Sequence, residues 1–172
     1  MIISLLGFMA SGKSTIGRML ADKLDMNFID LDVFIEGHEG RAIGEIFTHK
    51  GERHFRKLET KYLNLVVSTH KNVVLSLGGG TPCQERNWKA INETNAVYLY
   101  KTNEQLFDRL KSRKHKRPLI AGMSDDELQR FIKHKMKERG PFYERADYRA
   151  DVLESRKETM ERIIHTLKFN GE

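Results

Sequence analysis

Apolar runs of strand length recur along the chain, separated by longer amphipathic stretches: IISLLG (2–7), MNFID (26–30), NVVLSLG (72–78), AVYLY (96–100) and, more weakly, YRADVLE (148–154). Strands that alternate with helical patterns predict β-α-β units with right-handed crossovers, and so a mostly parallel sheet covered by helices on both faces. The expected class is α/β, in three α/β/α layers. Helix starts are marked by a hydroxyl residue followed three positions later by an acid or amide, the capping-box form: Thr81 with Gln84, Thr102 with Gln105, Ser124 with Glu127, Ser155 with Glu158. Pro82 stands where a first helical residue tolerates proline. These starts divide the C-terminal half into three or four helices. In HFRKLETKYLNLV (54–66), Phe55, Leu58, Tyr62 and Leu65 form an apolar stripe, with Glu59 at its edge and Arg56 three residues before Glu59. No repeat, low-complexity tract or linker interrupts the pattern, so a single domain is expected over residues 1–172.

Composition narrows the function classes. Lys and Arg number 30 against 24 Asp and Glu, a net charge of +6 spread through a heavily charged chain. That balance suits an acidic ligand without demanding nucleic acid. The densest basic stretch, KSRKHKR (111–117), reads as a solvated mobile loop or as one that contacts an anion. Cys83 is the only cysteine, which excludes an intrachain disulfide and fits a reducing, cytoplasmic setting. No run reaches the roughly eighteen apolar residues of a membrane span, and MIISLL leads into glycine and lysine rather than a cleavage site, so it reads as a core strand.

The chemistry begins with GFMASGKST (7–15), which matches G-x-x-x-x-G-K-[ST] between a strand and the helical pattern TIGRMLADKL. Glycines let successive N–H groups turn inward around a phosphate, and the following helix N-terminus adds partial positive charge. Lys13 is then expected at the β- and γ-phosphates and the Ser14 hydroxyl on Mg²⁺, so the site binds a nucleoside triphosphate. NVVLSL ends in Gly78-Gly79-Gly80 with no carboxylate; the nearest acids are Asp30 and Asp32 in IDLD, after the second strand. Ligands of an open parallel sheet gather at the carboxyl ends of strands, so the phosphate loop, IDLD and the triple glycine are expected to share one crevice. Asp-x-Asp pairs are also common turn residues; beside this loop they divide into one acid near the metal's water shell and one at an acceptor hydroxyl. The three glycines present bare backbone to a ligand, or merely loosen the loop before Thr81. Arg56 and Glu59 are either a surface ion pair or, at a crevice wall, a fork that holds a substrate carboxylate.

GFMASGKST, IDLD, FRKLE, LGGGT, RPLI and RGPFYERAD stand in the order and approximate spacing of the motifs of the shikimate kinase family, and the resemblance covers nearly the whole chain. The resemblance implies the nucleoside-monophosphate-kinase fold, with a five-stranded parallel sheet, and transfer of the ATP γ-phosphate to the 3-hydroxyl of shikimate. It implies nucleotide contacts from Gly7, Ala10, Ser11, Gly12, Lys13, Ser14 and Thr15, and an indirect role for Asp30 in holding the metal. Asp32 would hold the acceptor hydroxyl and take its proton, with no need of a raised pKa. Arg56 and Arg139 would clamp the shikimate carboxylate, Gly78, Gly79 and Gly80 would line the same pocket, and Glu59 would position its neighbours. A shikimate-binding subdomain is expected over about residues 32–62 and a mobile lid over about 113–124, with Arg113, Lys114, Lys116 and Arg117 over the triphosphate and Arg117 on the phosphates. Arg113 or Arg109 would stack on adenine, Arg113 preferred, with Arg156 either on the other face or a plain helix-start residue. Trp88 and Phe142 read as packing residues, while Phe47, Phe55 and Trp88 are alternatives for bordering the acceptor pocket; the seven histidines have no metal-ligand spacing and are expected at the surface. The expected cofactors are ATP and Mg²⁺ and the expected partner a small molecule, with no nucleic acid or membrane, in a monomer. A gluconate or adenylate kinase, a P-loop nucleic-acid ATPase and a catalytically silent relative are the competing readings.

Overall fold

All five apolar runs become strands: β1 (Ile2–Leu6), β2 (Asn27–Asp30), β3 (Val73–Ser76), β4 (Asn95–Tyr100) and β5 (Tyr148–Asp151). The computed structural model describes residues 1–112, 114–117 and 119–169. The strands pair in the order β2-β3-β1-β4-β5, and every pairing is parallel. Helices α1 (Lys13–Leu24), α2 (Leu31–Glu39), α3 (Ile43–Thr69), α4 (Trp88–Ile91), α5 (Asn103–Lys111), α6 (Asp125–Tyr143) and α7 (Arg156–Phe169) connect and flank them. Successive strand residues point to opposite faces, so each face of the sheet builds its own apolar cluster. Ile3, Leu5, Val74, Val97 and Leu99 pack with Ile16, Leu20, Met160 and Ile163 on one side. Leu6, Leu75 and Tyr98 pack with Leu31, Leu63, Ile132 and Tyr143 on the other. The chain thus has the three layers read from its pattern.

Two local expectations differ. Thr81 does not cap an α-helix: Thr81–Cys83 is a 3₁₀ turn after Gly80, and the buried Thr81 hydroxyl donates instead to Glu59 Oε1 at 2.6 Å. The other three starts are caps, with backbone N–H groups of Gln105, Glu127 and Glu158 donating to Thr102, Ser124 and Ser155. Along α3, Phe55, Leu58 and Tyr62 are buried, but Leu65 is 37% exposed, and Leu63 and Val66 take its place in the core. At about 100° per residue the buried positions span an arc from Leu58 to Leu63 with Phe55 and Val66 near its middle, and Leu65 falls about 20° beyond the Leu58 edge. His54 and His70 are half-buried, while the other five histidines are exposed as expected.

Candidate active site

β1 delivers the chain into a loop whose geometry is set within a few residues. Gly12 has φ 109°, a left-handed conformation that a side chain would strain, and it turns the backbone directly into α1. Gly7 is needed for space: a Cβ there would stand 2.8 Å from the Leu99 carbonyl oxygen. Lys13 folds back over the loop, its ammonium donating to the carbonyls of Gly7 at 2.7 Å and Phe8 at 2.9 Å. Ser11 is buried, and its Oγ, which has no hydrogen-bond partner among the described residues, lies behind the loop beside Gly7. A nucleotide contact from Ser11 would thus come from its backbone rather than from this side chain.

Asp30 ends β2 and caps α2: its Oδ1 accepts from the Asp32 N–H at 3.2 Å, and its Oδ2 accepts from Ser14 Oγ at 2.7 Å. Ser14 and Asp30 thus present adjacent hard oxygen donors, the chemistry Mg²⁺ selects. Among the described residues no three His, Cys, Asp or Glu side chains gather to hold a metal by themselves. An ion here would have to share its coordination with phosphates and water, as Mg²⁺ commonly does.

Asp32 lies in the first turn of α2. Burial, aided by the negative charges of Asp30 and Glu59, pushes its carboxyl up to about 6 against the pull of Lys13. Phosphoryl transfer was expected not to need a raised pKa at Asp32; in the protein without substrate the carboxyl is raised all the same. Burial likewise brings the Lys13 ammonium down to about 8, against the opposing pull of Asp32 and Asp30 and with a further push from Arg117 and Arg139.

Ala10, Gly12, Lys13, Ser14, Thr15, Asp30, Asp32, Gly78, Gly79, Arg109 and Arg117 line one cleft of about 280 Å³ at the carboxyl ends of the strands. Arg56, Gly80 and Arg139 line a second pocket of about 220 Å³ together with Glu52, Cys83, Phe142 and others. The glycine loop is the wall between them. A Cβ on Gly78 would stand 2.9 Å from both Asp32 Oδ1 and Glu59 Oε1, a Cβ on Gly79 3.2 Å from Arg139 Nη1, and one on Gly80 would overlap the Arg56 guanidinium. The three missing side chains therefore make room for this chain's own charged groups. Tyr143 fastens the loop from α6, its hydroxyl donating to the Gly79 carbonyl at 2.6 Å; burial raises the pKa of that phenol.

Glu59 is 1% exposed and fully engaged. It accepts from Arg56 Nη1 at 2.7 Å through one oxygen and from Thr81 through the other. Arg56 also gives Nε and Nη2 to Glu52 Oε1, at 3.2 and 2.9 Å. Burial alone would depress the Arg56 pKa, but the carboxylates of Glu59 and Glu52 raise it.

A third pocket, of about 430 Å³, contains Arg156 and Arg109 along with Lys101 and Val152. Arg109, one of the two arginines read for stacking on adenine, lines both this pocket and the phosphate cleft. Arg113 lies outside the described residues. Lys114 is tied elsewhere than over the cleft: its ammonium donates to the Met123 carbonyl at 2.6 Å and faces Asp125. Trp88 is buried packing, its indole N–H donating to the Pro82 carbonyl, and Phe47 stacks on Phe55 with ring centres 4.8 Å apart. Phe142, read as packing, lines the Arg56 pocket. Sequence reasoning missed Glu52 and the real role of Thr81. The i, i+4 spacing of Glu52 and Arg56 was a usable signal; the partner of Thr81 left none.

The family model for shikimate kinase matches residues 9–168. A shikimate kinase of Bacteroides thetaiotaomicron is 44% identical over 157 residues, 90% of this chain and 89% of that protein. A crystal structure of shikimate kinase from the same organism superposes with a TM-score of 0.92 at 39% identity, over 97% of this chain and 98% of the other. The Acinetobacter baumannii enzyme in complex with shikimate superposes with a TM-score of 0.89 at 32% identity, over 99% and 94%. By its motifs, its fold and these likenesses, the chain belongs to the shikimate kinase family of ATP-dependent phosphotransferases.

Proposed function

We propose that this chain transfers the γ-phosphoryl group of ATP to the 3-hydroxyl of shikimate, giving shikimate 3-phosphate and ADP on the route to chorismate and the aromatic amino acids. One observation carries the reading: the three glycines at 78–80 are each touched by a different charged group, Asp32, Arg139 and Arg56. An acceptor lying along that loop meets a carboxylate at the phosphate end and two guanidinium groups at the other. Shikimate carries hydroxyls and one carboxylate and fits that polarity, whereas a nucleobase would call for an apolar or stacking slot.

In this reading Lys13 exchanges the Gly7 and Phe8 carbonyls for phosphate oxygens, and Arg117 meets the same phosphates from across the cleft. Ser14, and Asp30 through water, would hold Mg²⁺, which would supply charge neutralisation when bound. Gly7, Ala10, Gly12 and Thr15 complete the cradle, with Ser11 supporting it from behind, and Arg109 and Arg156 flank the base. Arg56 and Arg139 orient the acid, Glu59 holds Arg56, and Asp32 takes the hydroxyl proton. Phosphoryl transfer asks for little covalent chemistry from the protein, so positioning and charge neutralisation do most of it. About residues 32–62 form the acceptor-binding part and about 113–124 the lid, of which 113 and 118 lie outside the described residues and the fully buried Ile120 is an anchor. The same proposal takes the protein as a cytoplasmic monomer acting on a small molecule, with no nucleic-acid or membrane partner; no described helix is long and apolar enough to cross a bilayer.

The test is ADP release from Mg-ATP with shikimate, quinate, gluconate or AMP as acceptor. Turnover driven by shikimate alone is expected. ADP formed equally without acceptor, or only with gluconate or AMP, would overturn the proposal.

A further inference from the structure

The Arg56 guanidinium is held on two sides, through one N–H each of Nε, Nη1 and Nη2. Nη1 is paired to Glu59, which is buried and held again by Thr81. The opposite fork, Nε with Nη2, closes on a single oxygen of Glu52. A planar carboxylate seats bidentately on such a fork, so Glu52 and a substrate acid compete for the same donors. The two glutamates are unlike: Glu59 is 1% exposed, while Glu52 is 66% exposed. Glu52 also follows directly on Gly51, whose φ of 78° and ψ of 169° break α3. One ion pair is built into the core, and the other is a releasable surface contact.

We infer that Glu52 is an internal stand-in for the substrate carboxylate: it covers the Arg56 fork in the empty protein and must be displaced by any acid that binds there. This rests on the reading of Arg56 as a carboxylate clamp. Such a residue lowers the affinity for every carboxylate by the same factor and for a neutral acceptor not at all. It thereby keeps weak acids from idling on Arg56.

The test is Glu52→Gln, with Glu52→Ala as a second variant, both on the whole protein. The shikimate KM should fall about two- to fivefold, the range of an exposed ion pair. Inhibition constants of acetate and benzoate, competing with shikimate, should fall by the same factor. The KM for ATP and the affinity for the neutral methyl ester of shikimate should stay where they are. That equal factor for acids and none for the ester is a pattern that loss of mere structural support does not give. A shikimate KM that is unchanged or raised in both variants overturns the stand-in. Arg56→Ala separates the two ideas: if it leaves the shikimate KM untouched, the clamp itself is wrong. If it raises that KM while the Glu52 variants do not lower it, only the stand-in fails.

Discussion

The cradle proposed for phosphate and the wall proposed for the substrate acid lie on either side of one glycine loop and are held together differently. In the cradle nearly every contact is local: Lys13 returns to Gly7 and Phe8, and Ser14 reaches Asp30 at the next strand end. In the wall, Arg56 and Glu59 come from α3, Thr81 from the loop, and Arg139 and Tyr143 from α6. The cradle satisfies its donors with backbone, which binding of phosphate can replace. The wall satisfies its charges with one another, so its function and its stability rest on the same pairs. A substitution at the charged centre of the cleft should therefore alter chemistry and leave folding intact, whereas one in the wall should lower both.

The sharpest break is Asp32→Asn. Loss of the proton acceptor should lower kcat about 10²- to 10⁴-fold with ATP still bound. The same change should stabilise the ligand-free protein. With its pKa raised from 3.8 to about 6, Asp32 holds more proton folded than unfolded between those values, so its contribution to stability falls as pH rises through that window. Above pH about 6 the penalty is complete, and the asparagine removes it. Lys13 then loses its attracting partner, which limits the net gain to about 2 kcal/mol, or about 4–8 °C at this size. A thermal melt at pH 7.5 checks it; a lowered Tm would show that the Asp32–Lys13 attraction outweighs the cost of burial.

Next in size is Glu59→Ala in the wall. It leaves the half-buried Arg56 without its inner partner and Thr81 without an acceptor, and should cost about 3 kcal/mol of stability together with a tenfold or greater rise in shikimate KM, on the order expected for a broken buried pair. Denaturant unfolding and steady-state kinetics read the two losses. If KM rises at unchanged stability, the contrast between the two regions fails.

The pH profile compares the groups within the cleft. Asp32 must be ionised to accept a proton and Lys13 protonated to meet phosphate, so kcat/KM should fall below pH about 6 and above pH about 8. The stability signs are complementary. Lys13, with its pKa lowered to about 8, has shed its proton in the folded state before the unfolded chain does, so its contribution to stability rises with pH between about 8 and 10.5. Both penalties are complete between pH about 6 and 8, where both groups carry the charge that catalysis uses. A flat profile across pH 5–7 would remove Asp32 as the proton acceptor.

How much of this was legible follows the same division. The cradle could be read from nine consecutive residues, because a phosphate loop is local backbone geometry and its spacing is its mechanism. The five strands could be read because strands buried in a parallel sheet announce themselves as apolar runs. The wall was legible only in part: Arg56 and Glu59 read alone left open a surface ion pair or a carboxylate fork, and Arg139 came in only through the resemblance. Leu65 was misplaced because the stripe through Phe55, Leu58, Tyr62 and Leu65 follows one edge of the buried arc, and Leu65 falls about 20° beyond it. The raised pKa of Asp32 depends on burial and on Glu59, which meets it only through the fold.

Thr81 gives the smallest effect and the cleanest test of the contrast, because the sequence pattern and the structure assign its hydroxyl different work. As a cap it would satisfy a backbone N–H of its own turn; in the structure it donates to Glu59 Oε1, the oxygen that Arg56 does not use. Thr81→Val keeps the shape and removes that donor. A buried carboxylate left one bond short should cost about 1–2 kcal/mol, and Glu59, held then by Arg56 alone, should let the guanidinium shift and raise the shikimate KM a fewfold, with the KM for ATP unchanged. In a Glu59→Ala background the coupling to Thr81 should largely vanish, so a double-mutant cycle over the two positions should return a non-zero interaction in both stability and shikimate KM. Additive effects would mean that Thr81 serves only its own turn, and that the wall is no more interdependent than the cradle.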